Sequence, residues 1–118
     1  MDSDERRRDL RARISLPTSI VRRGSEDSAT MLDASFRGLF LQMEEAPPVR
    51  QLVKLRIRLP KAGGEARELV VHAVVVRVVD GQHGQPGVGL RFFALNGQDR
   101  SDWESFVAGL IRARTRAA

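Results

Sequence analysis

Within Gln51 to Leu59 the chain alternates from Val53 onward: Val53, Leu55, Ile57 and Leu59 are apolar, while Lys54, Arg56 and Arg58 are charged. Successive side chains leave a strand on opposite sides, so this period of two describes a strand with one dry face and one wet face. A helix would scatter the same residues around its circumference. The segment therefore commits the chain to a sheet whose inner face is covered.

Other segments read the same way. Leu16 to Arg23, with Thr18, Ile20 and Val21 following Pro17, suits a strand, and Gly24 to Ser28 a turn. Ala29 to Leu32 is a short strand leading into an Asp33–Gly38 turn, and Leu39 to Met43 is the next strand, broken by Glu44 to Pro48. Lys61 to Glu65 reads as a hairpin connection. Glu68 to Val79 is valine-rich and longer than a usual strand, which predicts a bend or bulge. Asp80 to Pro86 is a turn and Val88 to Phe93 the last strand. The period then changes: Trp103, Phe106, Val107, Leu110 and Ile111 form one stripe of an amphipathic helix over about 97–114. Asn96 can cap it with Asp99 three residues on, and its arginines come late, as the helix dipole favours. The expected fold class is all-β with one helix: a small antiparallel barrel of six to seven strands, covered by a C-terminal amphipathic helix. Residues 1–13 are expected to form a flexible arginine-rich arm and 14–118 a single domain.

Composition excludes several functions. There is no cysteine, so neither a disulfide framework nor a thiolate zinc site is available. The first thirteen residues are mostly charged, unlike a secretory signal, and the apolar run Leu69–Val79 is interrupted by His72 and Arg77 and too short to span a bilayer. A cytoplasmic protein without membrane insertion is expected. No HExxH, GxSxG, Walker loop or cysteine nucleophile is present. His72 reads as a residue of the barrel wall and His83 as a solvated turn residue. Gly87-Val-Gly89 enters a strand instead of opening a helix, so it is not a dinucleotide fingerprint. The expectation is a protein that is not an enzyme and holds no metal or cofactor.

Net charge is +5, and eighteen of the twenty basic residues are arginine. A GC-rich genome would account for most of that bias, but not for the cluster Arg6, Arg7, Arg8, Arg11 and Arg13. Arginine forks suit phosphate and the O6/N7 edge of guanine. Further on stands Asp33-Ala-Ser35-Phe-Arg-Gly38. A carboxylate can accept from the N1–H and amino group of guanine, a serine hydroxyl can donate to phosphate, and a glycine permits close approach. Taken singly, the first segment is an ordinary basic tail and the second an ordinary turn.

Together they resemble the PilZ domain family, whose binding signature is an RxxxR motif followed by a D/N-x-S-x-x-G motif. Here these are Arg7-Arg-Asp-Leu-Arg11 and Asp33-Ala-Ser-Phe-Arg-Gly38. Leu39-Phe-Leu, Gly87-Val-Gly-Leu-Arg-Phe92 and Leu95-Asn-Gly-Gln-Asp-Arg with the helix behind it are similar to the family's later elements, so the resemblance spans nearly the whole chain. It implies a receptor for the bacterial second messenger cyclic di-GMP. By that likeness Arg7 and Arg11, flanked by Arg6 and Arg8, would grip phosphate and the guanine Hoogsteen edge. Asp33 and Ser35 would hold a guanine and nearby groups, and Gly38 would keep the turn open. Arg6 stands where a long basic residue favours two intercalated nucleotides, so a stacked pair is preferred. The family's first motif often contains a proline, which Arg8-Asp-Leu lacks.

The expected partners are cyclic di-GMP and an unidentified effector protein, with a homodimer compatible. The alternative is a PilZ-like adaptor that binds protein but no nucleotide. DNA or RNA is not expected, because its binding needs exposed stacking aromatics and the six aromatic residues mostly fit strands or the helix stripe.

Overall fold

In a computed structural model, which describes residues 10–60, 65–81 and 85–117, the alternation is translated into strands β1 (Ala12–Arg22), β2 (Ser25–Ala34), β3 (Gly38–Gln42), β4 (Leu52–Leu59), β5 (Arg67–Val79) and β6 (Gly87–Phe93), followed by helix α1 (Gly97–Ala117). Two antiparallel meanders, β1-β2-β3 and β4-β5-β6, join at both edges, β3 to β6 and β1 to β4. The result is a closed barrel in the order β1-β2-β3-β6-β5-β4. Closure removes the free sheet edges that a six-stranded open sheet would expose.

The inward positions meet in one core. Leu55 and Ile57 of β4 are fully buried, with Ile20, Met31, Leu39, Leu41, Leu69 and Val88 from the other strands. As expected, the long β5 is bulged. Its pairing with β6 shifts register between Val75 and Arg77; Arg67–Val74 pair with β4 and His72–Val79 with β6. The bulge bends the strand enough to serve two neighbours around a tight barrel.

Three differences from the expected boundaries bear on the site. β1 begins at Ala12, not Leu16, because the inward alternation of Leu16, Thr18 and Ile20 continues back through Ile14 to a buried Ala12 that pairs with Ala34. Pro17 is therefore inside the strand; pairing to β4 starts only at Thr18, so the ladder does not need its missing N–H. β2 begins at Ser25 instead of Ala29, because the turn is only Arg23-Gly24. Both have positive φ, 44° and 82°, the twist-matched two-residue hairpin turn. Asp33 and Ala34 belong to β2, which shortens the Asp33–Gly38 turn to residues 35–37.

α1 covers one end of the barrel. Trp103 and Val107 are fully buried, and Phe106 and Ile111 pack partly against the core. Trp103 stands edge-on to Phe92 of β6, with ring centroids 5.0 Å apart. Arg67, at the start of β5, clamps the helix through ion pairs to Asp99 and, at 3.1 Å, to Asp102. The Asp99 hydrogen bond raises the Arg67 pKa above its ordinary value; burial opposes this, and the charges of Asp102 and Asp99 add to it. Asp99 is thus engaged by the barrel. The Asn96 side-chain amide donates to the Ala94 carbonyl at 3.2 Å. No helix among the described residues is long and apolar enough to cross a membrane.

Candidate functional site

Strand register sets one line of side chains across the outside of the barrel. Arg13 lies opposite Asp33, Asp33 opposite Phe40, Phe40 opposite Gly89, and Gly89 opposite Arg77. These residues face outward because their chain neighbours Ala34, Leu39, Leu41, Val88 and Leu90 belong to the core. A carboxylate therefore stands on the outer wall beside one arginine, three cross-strand pairs away from another. The Arg77 guanidinium lies 5.5 Å from the centre of the Phe40 ring.

The two glycines of Gly87-Val-Gly89 make this line possible. A Cβ on Gly89 would come within 2.9 Å of the Arg77 side chain, and one on Gly87 within 2.8 Å of the Phe40 ring. They leave room for outer-face side chains to lie flat, consistent with a strand and not a phosphate loop.

Arg11 reaches the same carboxylate. Its Nη1 donates to Asp33 Oδ1 at 2.7 Å, across 22 residues of sequence. The pair is open to solvent, with side-chain exposures of 47% for Arg11 and 24% for Asp33. The Arg11 carbonyl accepts a hydrogen bond from Arg114 Nη1 of α1 at 3.0 Å. The end of the predicted arm is thus tied at once to the turn motif and to the helix.

Ser35 and Gly38 are placed differently. Ser35 is buried, and both its N–H and its hydroxyl donate to the Gly38 carbonyl, at 2.9 and 3.3 Å. Its own carbonyl accepts from Trp103 Nε1 at 2.9 Å. The hydroxyl thus closes the turn on the protein's own backbone. Gly38 has a steric reason to be glycine, since a Cβ there would lie 2.0 Å from the Leu90 carbonyl oxygen. It lets β3 approach β6, and the close approach is to the protein's own backbone.

Arg6, Arg7 and Arg8 lie outside the described residues, as does His83. His72 is exposed on the outer wall of β5, opposite Lys54 and Phe93, as expected of a wall residue. No cluster of three metal-ligating side chains occurs among the described residues. Sequence reasoning named Arg13 in the arginine cluster without a site role and missed Arg77 and Arg91, because only the pairing register sets Arg13 beside Asp33, Arg91 beside Gly38 and Arg77 on the same outer line. The signal available beforehand was their outward phase relative to Ala34, Leu39 and Leu90.

The family model described as PilZ domain matches residues 5–109. None of the curated proteins matches. Among solved structures, the inhibitor of motility MotI/DgrA of Bacillus subtilis superposes with a TM-score of 0.75 at 19% identity, covering 92% of this chain and 51% of that one. The PilZ domain of YcgR from Escherichia coli with c-di-GMP gives 0.66 at 18% identity, covering 95% and 97%. The PilZ domain of CeSA from a cellulose-synthesizing bacterium gives 0.66 at 19% identity, covering 87% and 99%. The chain spans about half the length of MotI, and 49% of the longer YcgR structure.

Proposed function

We propose, for a chain that belongs to the PilZ domain family, that it is a non-catalytic receptor for cyclic di-GMP that passes ligand binding to a partner protein through its N-terminal arm. The observation that carries this is the convergence of the two motifs: the second arginine of RxxxR is bonded to the aspartate of D-x-S-x-x-G on an open face. The YcgR neighbour, of the same fold, was solved with c-di-GMP.

The magnitudes favour exchange on binding. An exposed ion pair such as Arg11–Asp33 is worth about 0.2–1 kcal/mol. A bidentate arginine contact to guanine is worth about 1–3 kcal/mol. A ligand that offers donors to Asp33 and acceptors to Arg11 therefore replaces the internal pair at a net gain. Arg7 and Arg11 would take phosphate and the guanine edge, with Arg6 and Arg8 flanking and Arg6 favouring an intercalated pair. Asp33 would take the N1–H and amino donors, while Ser35 and Gly38 hold the turn in shape.

Transmission follows from the tie between arm and helix. When Arg11 moves from Asp33 to the ligand, the carbonyl held by Arg114 moves with it. Drawing the arm, residues 5–11, over the ligand would then change the surface near the end of α1, where an effector could read it. A receptor for this messenger works in the bacterial cytoplasm.

The second reading is an adaptor that binds protein and no nucleotide. It is favoured by one observation: Asp33 is already neutralised by Arg11, and the Ser35 hydroxyl is turned inward. Titration calorimetry with cyclic di-GMP, with GTP and cyclic GMP as controls, separates the two. The receptor binds only the first, and Arg7→Ala, Arg11→Ala and Asp33→Ala each lose about tenfold or more in affinity. No heat with any of the three nucleotides would favour the adaptor.

A further inference from the structure

Beside the turn lies a groove of about 660 Å³, between residues 36–37, the end of β6 and the first turns of α1. Its floor is apolar: Phe36, Phe92 and Leu95 are half-buried against the core. Its walls are basic. Arg37, Arg91 and Arg100 line it against a single carboxylate, Glu104, and Arg100 Nε already holds that carboxylate at 3.1 Å. Among the described residues, the side chains of Arg37 and Arg91 have no ion-pair partner.

Two guanidinium groups without an ion-pair partner therefore line one groove. Arg37 immediately precedes Gly38, and Gly38 is the cross-strand partner of Arg91. Like charges held at one concave surface repel, and a doubly bonded anion relieves that repulsion while satisfying both forks. The wall also contains Ala94 at a φ of 59°, a left-handed conformation uncommon for a residue with a side chain. An apolar floor beneath paired cations suits an anion carried on a flat ring, the chemistry of a nucleotide phosphate beside its base. Gly38 is two residues along β3 from Phe40, the cross-strand partner of Asp33. The groove thus opens about 7 Å along the strand from the Asp33 line, within the reach of one dinucleotide.

We propose that the nucleotide site extends past Gly38 into this groove, and that Arg37 and Arg91 are phosphate-holding residues. This rests on the receptor reading above and adds two residues that neither sequence motif contains as a contact. Arg58, an exposed arginine of β4 that does not line the groove, is the control.

The test is calorimetry with cyclic di-GMP on the full chain at low and high salt. Arg37→Ala and Arg91→Ala each weaken binding about tenfold, and the double variant more, because each removes a charge-assisted hydrogen bond to an anion. Arg91→Lys recovers part of the loss. The salt dependence becomes shallower in the double variant, since fewer phosphate charges are met by cations. Arg58→Ala, outside the groove's lining, stays within about twofold, and thermal midpoints of the Arg37 and Arg91 variants stay at the wild-type value because neither side chain supports the fold. Wild-type affinity that survives in the double variant within about twofold, or is weakened with no change in salt dependence, overturns the groove while leaving the receptor reading intact. Absence of wild-type binding overturns both.

Discussion

The two ends of the Asp33–Gly38 motif are built for different tasks. Asp33 sits on the outer wall, exposed to water and bonded to an arginine from the chain's first residues. Ser35 and Gly38, a few residues on, are buried and engaged by backbone and by Trp103. One end can change partners at small cost, while the other fixes the turn so that Asp33 presents a constant geometry. A motif read as a row of ligand contacts is, in this fold, half contact and half mounting.

Substitutions along the motif break that division or sharpen it. Gly38→Ala has the largest expected effect on stability. A methyl group 2.0 Å from a backbone oxygen forces β3 and β6 apart, at a cost of about 3 kcal/mol and a fall in Tm on the order of 10 °C. Trp103→Phe comes next. It keeps most of the packing on Phe92 but leaves the buried Ser35 carbonyl without its donor, for a loss of about 1–3 kcal/mol in chemical unfolding. Ser35→Ala is milder, about 0.5–1.5 kcal/mol, because the Ser35 N–H still satisfies the Gly38 carbonyl. Asp33→Asn destabilises least, by no more than about 1 kcal/mol, since it removes only an exposed pair. If Asp33→Asn melted the protein as Gly38→Ala does, the two ends would not differ in kind. If Ser35→Ala left stability unchanged but abolished nucleotide binding, Ser35 would belong with Asp33.

Much of this was legible in the residues. Alternation at Val53–Leu59 and the stripe from Trp103 to Ile111 specify a barrel and its covering helix, and both occur. The bulge in β5 was signalled by length alone. What the sequence concealed were properties of pairing. That Pro17 stands inside β1, that β2 starts at Ser25, and that Arg13 faces Asp33 all depend on which residue lies opposite which. Local propensity carries no such information. The same holds for the site: Arg11 and Asp33 could be singled out as residue types, but their 2.7 Å contact could not. Nor could the inward turn of Ser35, because a serine in a turn bonds to its own backbone or to a ligand with equal ease.

The central claim is that Asp33 and Arg11 hold each other only until cyclic di-GMP replaces the pair. Calorimetric titration of the wild type and of Asp33→Ala measures this directly. The account predicts specific binding of cyclic di-GMP by the wild type and an affinity lower by about tenfold or more in Asp33→Ala, at nearly unchanged Tm. Equal affinity in the two proteins, or no binding by the wild type, would contradict it.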